Sequence, residues 1–109
     1  MGAPVKLRIR GQHLRIRTDP DEMQDLAAAG CIEDRIQLTP QRALVYRLSV
    51  APEAREVGVV FDGDVIDVRL PEARAKEWCS TDLVGLSGTQ RNGDVELRIS
   101  VEKDFDPSE

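Results

Sequence analysis

The stretch Val5-Lys-Leu-Arg-Ile-Arg-Gly11-Gln12-His13-Leu14-Arg-Ile-Arg17 alternates apolar and basic residues on both sides of a glycine. Alternation with a period of two puts Leu7, Ile9, Leu14 and Ile16 on one face of a strand pair. Lys6, Arg8, Arg10, Arg15 and Arg17 then share the other face. Gly11-Gln12 fits a two-residue hairpin turn with glycine at its first central position. Counting outward from that turn pairs Arg10 with His13, Ile9 with Leu14, Arg8 with Arg15, Leu7 with Ile16 and Lys6 with Arg17. The register checks itself, because every apolar residue meets an apolar one. Directly opposed like charges cost about 0.2–1 kcal/mol per pair, so the cationic face calls for compensation.

The same grammar returns near residue 57. Val57-Gly-Val-Val-Phe-Asp-Gly63 overlays Val5 to Gly11, and Ile66-Asp-Val-Arg69 overlays Leu14 to Arg17. Leu44-Val-Tyr-Arg-Leu-Ser-Val50 likewise overlays Val95-Glu-Leu-Arg-Ile-Ser-Val101. A helix is expected over Asp19 to Ala29, where Asp19-Pro20-Asp21-Glu22 supplies an N-cap, a proline in the first turn and a capping-box glutamate. Gly30 fits its left-handed C-cap. Pro71 to Cys79 is the matching helix, with Ala75, Trp78 and Cys79 on its apolar stripe, as Met23, Leu26 and Ala27 are in the first. Gly63-Asp64 and Asn92-Gly93 mark two more hairpins, and Thr39 to Arg42 a fourth.

The predicted fold is therefore α+β: a pseudo-two-fold duplication of a strand-strand-helix-strand-strand module, with about eight antiparallel strands, sandwich or barrel-like, and two short helices. Residues 1–109 form one domain in this reading, with the copies at 5–50 and 57–101. Neither copy alone covers its sheet, so the copies must pack on each other. Strand alternation nominates Leu7, Ile9, Leu14, Ile16, Ile36, Leu38, Leu44, Tyr46, Leu48 and Val57 as core. From the second half it adds Val59, Phe61, Ile66, Val68, Val84, Leu86, Val95, Leu97, Ile99 and Val101.

Composition narrows the function classes. The 109 residues carry 15 basic and 20 acidic side chains, a net charge of −5. Residues 1–17 hold five of the basic groups and no acid, leaving ten bases against 20 acids elsewhere. Overall acidity disfavours nucleic acid, which needs a broad basic footprint. Apolar runs are too short to span a bilayer, and two cysteines make no disulfide scaffold, so a reducing cytoplasm is the expected compartment.

The candidate site is the cationic hairpin face, with Lys6, Arg8, Arg10, Arg15 and Arg17 as anion-binding residues. Guanidinium groups at strand spacing suit bidentate grip on phosphate or carboxylate. The competing expectation is a solvated face in which Glu33, Glu96 and Glu102 from neighbouring strands interleave with the bases. Partners open to such a face are an anionic small molecule, an acidic protein surface or a second copy of the chain. No cofactor, metal site or catalytic residue is expected. His13 lacks an orienting carboxylate, and Cys31 and Cys79 have no zinc spacing. Asp62, Asp64 and Asp67 lack the twelve-residue pattern of a calcium loop. Val60 and Val65, outward in the second hairpin, are the apolar candidates for a contact surface.

Lys6-Leu-Arg-Ile-Arg-Gly, Leu14-Arg-Ile-Arg17, Pro71-Glu-Ala-Arg-Ala-Lys-Glu-Trp-Cys-Ser-Thr-Asp-Leu-Val-Gly85 and Val101-Glu-Lys-Asp-Phe105 resemble a bacterial family of unknown function, number 7009. That resemblance implies a shared small fold and carries no activity. A fainter likeness is to the triphosphate tunnel enzymes, whose strands also bear Leu-Arg-Ile-Arg segments. It implies a phosphohydrolase in which Arg8, Arg10, Arg15 and Arg17 hold polyphosphate while Glu96 and Glu102 hold a divalent metal.

Overall fold

The computed structural model describes residues 5–104, so Phe105 of the last quoted segment and residues 106–109 lie outside it. The elements run β1 (Lys6–Arg10), β2 (His13–Thr18), α1 (Pro20–Ala29), β3 (Cys31–Gln37), β4 (Ala43–Ala51), β5 (Gly58–Asp62), β6 (Val65–Pro71), α2 (Glu72–Ser80), β7 (Gly85–Asn92) and β8 (Val95–Lys103). The order strand, strand, helix, strand, strand is traversed twice.

Each hairpin is set locally. Gly11 and Gly63 hold φ of 56° and 60°, and no other residue type among those described has positive φ. Positive φ at the first turn position alone is the type II′ pattern, whose twist matches that of the strands. The third such turn is Gly93-Asp94, one residue beyond the expected Asn92-Gly93, because Asn92 pairs with Val95 and closes the ladder. In α1, Asp19 accepts from the Glu22 amide at 2.8 Å while Glu22 accepts from the Asp19 amide at 2.9 Å, a complete capping box. Gly30 ends the helix at φ 77°, its amide donating to the Leu26 carbonyl. Pro71 lies outside the second helix as its N-cap and makes no side-chain capping bond.

The hairpins assemble by exchange. One sheet has the order β1-β2-β8-β7 and the other β3-β4-β6-β5, so each is built half from the first five elements and half from the last five. Neither sheet closes on itself, which sets the barrel aside. Pairing is antiparallel within each hairpin, but β2 runs parallel to β8 and β4 parallel to β6, correcting the expectation of antiparallel pairing throughout. Long intervening segments give the chain room for such a crossover, which a tight turn forbids. An apolar row crosses the middle of each sheet, Leu7-Ile16-Val101-Leu86 in one and Val59-Val68-Leu48-Ile32 in the other.

One hydrophobic cluster joins both sheets and both helices, with Ile16, Leu26, Leu48, Val68, Leu70, Trp78, Ile99 and Val101 fully buried. The sheets approach closely where β5 meets β7. The Val59 amide donates to the Gln90 side chain at 2.8 Å, and a Cβ on Gly88 would lie 2.7 Å from the Val57 carbonyl oxygen. Of the expected core, Ile9, Ile36, Leu38, Phe61, Val84 and Val95 are exposed instead. Helices of ten and nine residues reach only about 15 Å along the sheets, so most of these residues lie at hairpin ends, beyond the helical cover.

Candidate functional site

The opening hairpin has the register its alternation dictates: Lys6 opposite Arg17, Arg8 opposite Arg15 and Arg10 opposite His13. Leu14 and Ile16 are buried, so the basic residues occupy the opposite, outer face. β1 is an edge strand, and β2 continues the three rows onto β8. His13 lies beside Arg98, Arg15 beside Ser100, and Arg17 beside Glu102.

The ladder divides into a matched end and an unmatched end. Arg15 directs both Nε, at 3.1 Å, and Nη2, at 2.6 Å, to one carboxylate oxygen of Glu102. Lys6 donates to Asp104 at 2.6 Å, and the Arg17 guanidinium stands 3.6 Å from the other oxygen of the same carboxylate. The Asp104 side chain is only 3% exposed, held by its own amide, which donates to the Thr18 carbonyl at 2.7 Å. Toward the turn, Arg8 and Arg10 are exposed and form no ion pair among the described residues. Ile9 between them is 61% exposed.

Of the three expected counter-charges, only Glu102 pairs with a base of this ladder; Glu96 shares the face but lies beyond the paired rows. Glu33 pairs with Arg47 in the other sheet, and Glu96 lies opposite Arg91 near the exposed end of β8. The outer face of that other sheet alternates in sign, with Val60, Asp67, Arg47 and Glu33 in one row. Asp104 and Arg98 were missed, since only the parallel pairing of β2 with β8 brings them to the hairpin.

The remaining candidates resolve into structure. The His13 ring lies 2.9 Å from the Ser100 hydroxyl, and Asp64 and Asp67 pair with Arg42 and Ser49 around the second hairpin. Cys31 and Cys79 are free and half-buried, and burial pushes both thiols up. Val60 is exposed and Val65 partly covered. Glu96 and Glu102 sit six positions apart on one strand, about 20 Å at strand rise, so they do not converge on one metal. No group of three or more His, Cys, Asp or Glu among the described residues is placed to hold a metal ion.

Glu22 is the unusual acid. It is 5% exposed, and burial, reinforced by the nearby Asp19 and Asp34, raises its pKa to about 7. The folded protein therefore binds this proton more tightly than the unfolded chain. The stability it contributes is full below pH 4.5 and is lost as pH rises through about 7. Glu22→Gln keeps the capping oxygen and removes the charge. The variant is expected to gain about 2 kcal/mol over the parent at pH 8 and to flatten the Tm profile between pH 5 and 8. Parallel profiles for the two proteins would contradict this.

These features define a small α+β protein of two open mixed sheets with a one-sided cationic hairpin. The chain belongs to the Family of unknown function (DUF7009), whose model matches residues 5–107. No curated protein sequence and no solved structure matches it.

Proposed function

We propose that this chain is a non-enzymatic binding module that engages an acidic protein surface through the tip of the β1–β2 hairpin. The observation carrying the reading is the pair Arg8 and Arg10, exposed and unmatched beside a ladder whose other cations are held by Glu102 and Asp104. An edge strand whose exposed end carries Arg8 and Arg10 on one face and Ile9 on the other offers backbone, charge and apolar surface together, which suits a protein better than a lone anion. The reading includes one domain, built by duplication of a single module and residing in a bacterial cytoplasm. The exchange of hairpins between halves supports duplication, and two free thiols support a reducing compartment.

The test is a titration with poly-glutamate at low and at moderate salt, followed by amide chemical shifts. Binding is expected to perturb residues 8–13, to weaken with salt and to fall at least tenfold in Arg8→Ala/Arg10→Ala. The same variant is expected to change stability by less than about 1 kcal/mol, since it also relieves the Arg8–Arg15 opposition. Equal binding by variant and parent would end the proposal. Concentration-dependent sedimentation lost in the variant would identify the acidic surface as that of a second copy.

A further inference from the structure

The hairpin that carries the charge also ends its sheet, and the turn at Gly11 decides which way the β1 backbone points. The residues flanking a two-residue turn form a hydrogen-bonded pair, and such pairs alternate along an antiparallel ladder. Arg10 with His13, Arg8 with Arg15 and Lys6 with Arg17 are therefore the bonded pairs, their N–H and C=O groups turned toward β2. The N–H and C=O groups of Leu7 and Ile9 point the other way, off the edge of the sheet. Among the described residues, no backbone bond outside the β1–β2 ladder involves Leu7 or Ile9.

The second copy closes the same edge. Val59 stands 52 residues after Leu7, and its outward amide donates to the Gln90 side chain of β7 at 2.8 Å. Gln90 lies opposite Leu97, and Tyr46, which overlays Leu97, lies opposite Asp34, so Asp34 of β3 holds the place of Gln90. The Asp34 carboxylate accepts from the Arg35 amide at 2.8 Å, and no bond joins it to Leu7 among the described residues. The other free edge, β3, mixes its signs with Glu33, Asp34 and Arg35. β1 combines an open ladder with charges of one sign, Lys6, Arg8 and Arg10.

Basic side chains on an edge strand ordinarily discourage further pairing, and here they do so selectively. A strand laid beside β1 shares its two faces, alternating outward and inward. Its outward residues meet Arg8 and Arg10, which repel a base and attract an acid. Its inward residues meet Leu7 and the 61% exposed Ile9, so apolar side chains there continue the row Leu7-Ile16-Val101-Leu86 by one more strand. The β1 of a second copy is turned away, because its arginines would stand against these.

We propose that β1 accepts an extended segment of a partner protein as a further strand, one in which acidic residues alternate with apolar ones. This rests on the hairpin's engagement of an acidic surface and adds the form which that surface takes. The acids lie over Arg8 and Arg10, the apolar residues beside Leu7 and Ile9, and main-chain bonds to Leu7 and Ile9 supply the affinity that charge alone does not.

Two short capped peptides of one composition are the probes. One alternates Glu and Val; the other carries its glutamates as one block and its valines as another. The alternating peptide is expected to bind at least tenfold more tightly, and Arg8→Ala/Arg10→Ala to weaken it at least tenfold. At saturation, hydrogen exchange of the Leu7 and Ile9 amides is expected to slow at least tenfold, while that of Arg8 and Arg10, already bonded to β2, changes little. Equal affinities for the two peptides and unchanged exchange, with the variant still weaker, would overturn strand addition and leave charge-led binding by the hairpin standing. Equal binding by variant and parent would remove both readings. Slowed exchange in the protein alone, increasing with its concentration, would give the edge to a second copy and overturn the assignment to a partner.

Discussion

Trp78→Ala is expected to destabilise the protein by about 3–5 kcal/mol, a large share of the roughly 5–15 kcal/mol typical of a whole domain. Trp78 is the largest of the fully buried side chains and projects from α2 into the cluster that joins both sheets. Its indole N–H also donates to the Val84 carbonyl at 3.0 Å, immediately before β7 begins. Truncation therefore opens a cavity at the meeting point of helix and sheets and also removes one of the two donors to the Val84 carbonyl, which keeps the Lys103 amide at 2.8 Å. Trp78→Phe separates the two effects, since it keeps most of the apolar volume and loses the donor, with an expected cost of about 1–2 kcal/mol. Urea unfolding followed by far-ultraviolet circular dichroism measures both, because the only tryptophan is the one removed. A midpoint for Trp78→Ala within about 1 kcal/mol of the parent would mean that the core does not depend on this residue.

What the sequence could reveal follows the range of the interactions. The β1–β2 and β5–β6 registers were legible because a glycine turn and period-two alternation are properties of neighbouring residues. The α1 cap was legible for the same reason, since Asp19 and Glu22 stand three residues apart. Core membership was legible only in part. Ile9 and Phe61 alternate as faithfully as Ile16 and Val68, yet they lie beyond the reach of the short helices and stay exposed. Alternation assigns a face, whereas cover decides burial. Pairing between hairpins was not legible, because no local signal says that β2 docks beside β8 instead of beside a strand of its own half. From that gap came the missed residues Asp104 and Arg98, which the docking of β8 brings beside the hairpin.

The sharpest consequence of that hidden pairing concerns Asp104. Lys6 and Arg17 face each other directly, and the side chain whose carboxylate holds both is 3% exposed. Asp104→Asn preserves shape and removes the charge, leaving two opposed cations with no counter-ion from this side chain. Removing one member of a fully buried ion pair costs about 3–5 kcal/mol, and because Lys6 and Arg17 are each about one-third exposed, the expected loss here is about 2–3 kcal/mol. Added salt should recover part of it by screening the Lys6–Arg17 repulsion. In the Asp104→Asn background, Lys6→Ala should cost far less than it does in the parent, or even stabilise, since it then removes a repulsion and no attraction. Additive losses would show that the ion pair contributes nothing. Binding should respond with the opposite sign to stability. Glu102 and Asp104 compete with any external anion for Arg15, Lys6 and Arg17, so Glu102→Gln/Asp104→Asn should bind poly-glutamate more tightly than the parent while melting earlier. If weaker binding accompanied the lower Tm, the internal carboxylates would be positioning the ladder for its partner and not restraining it.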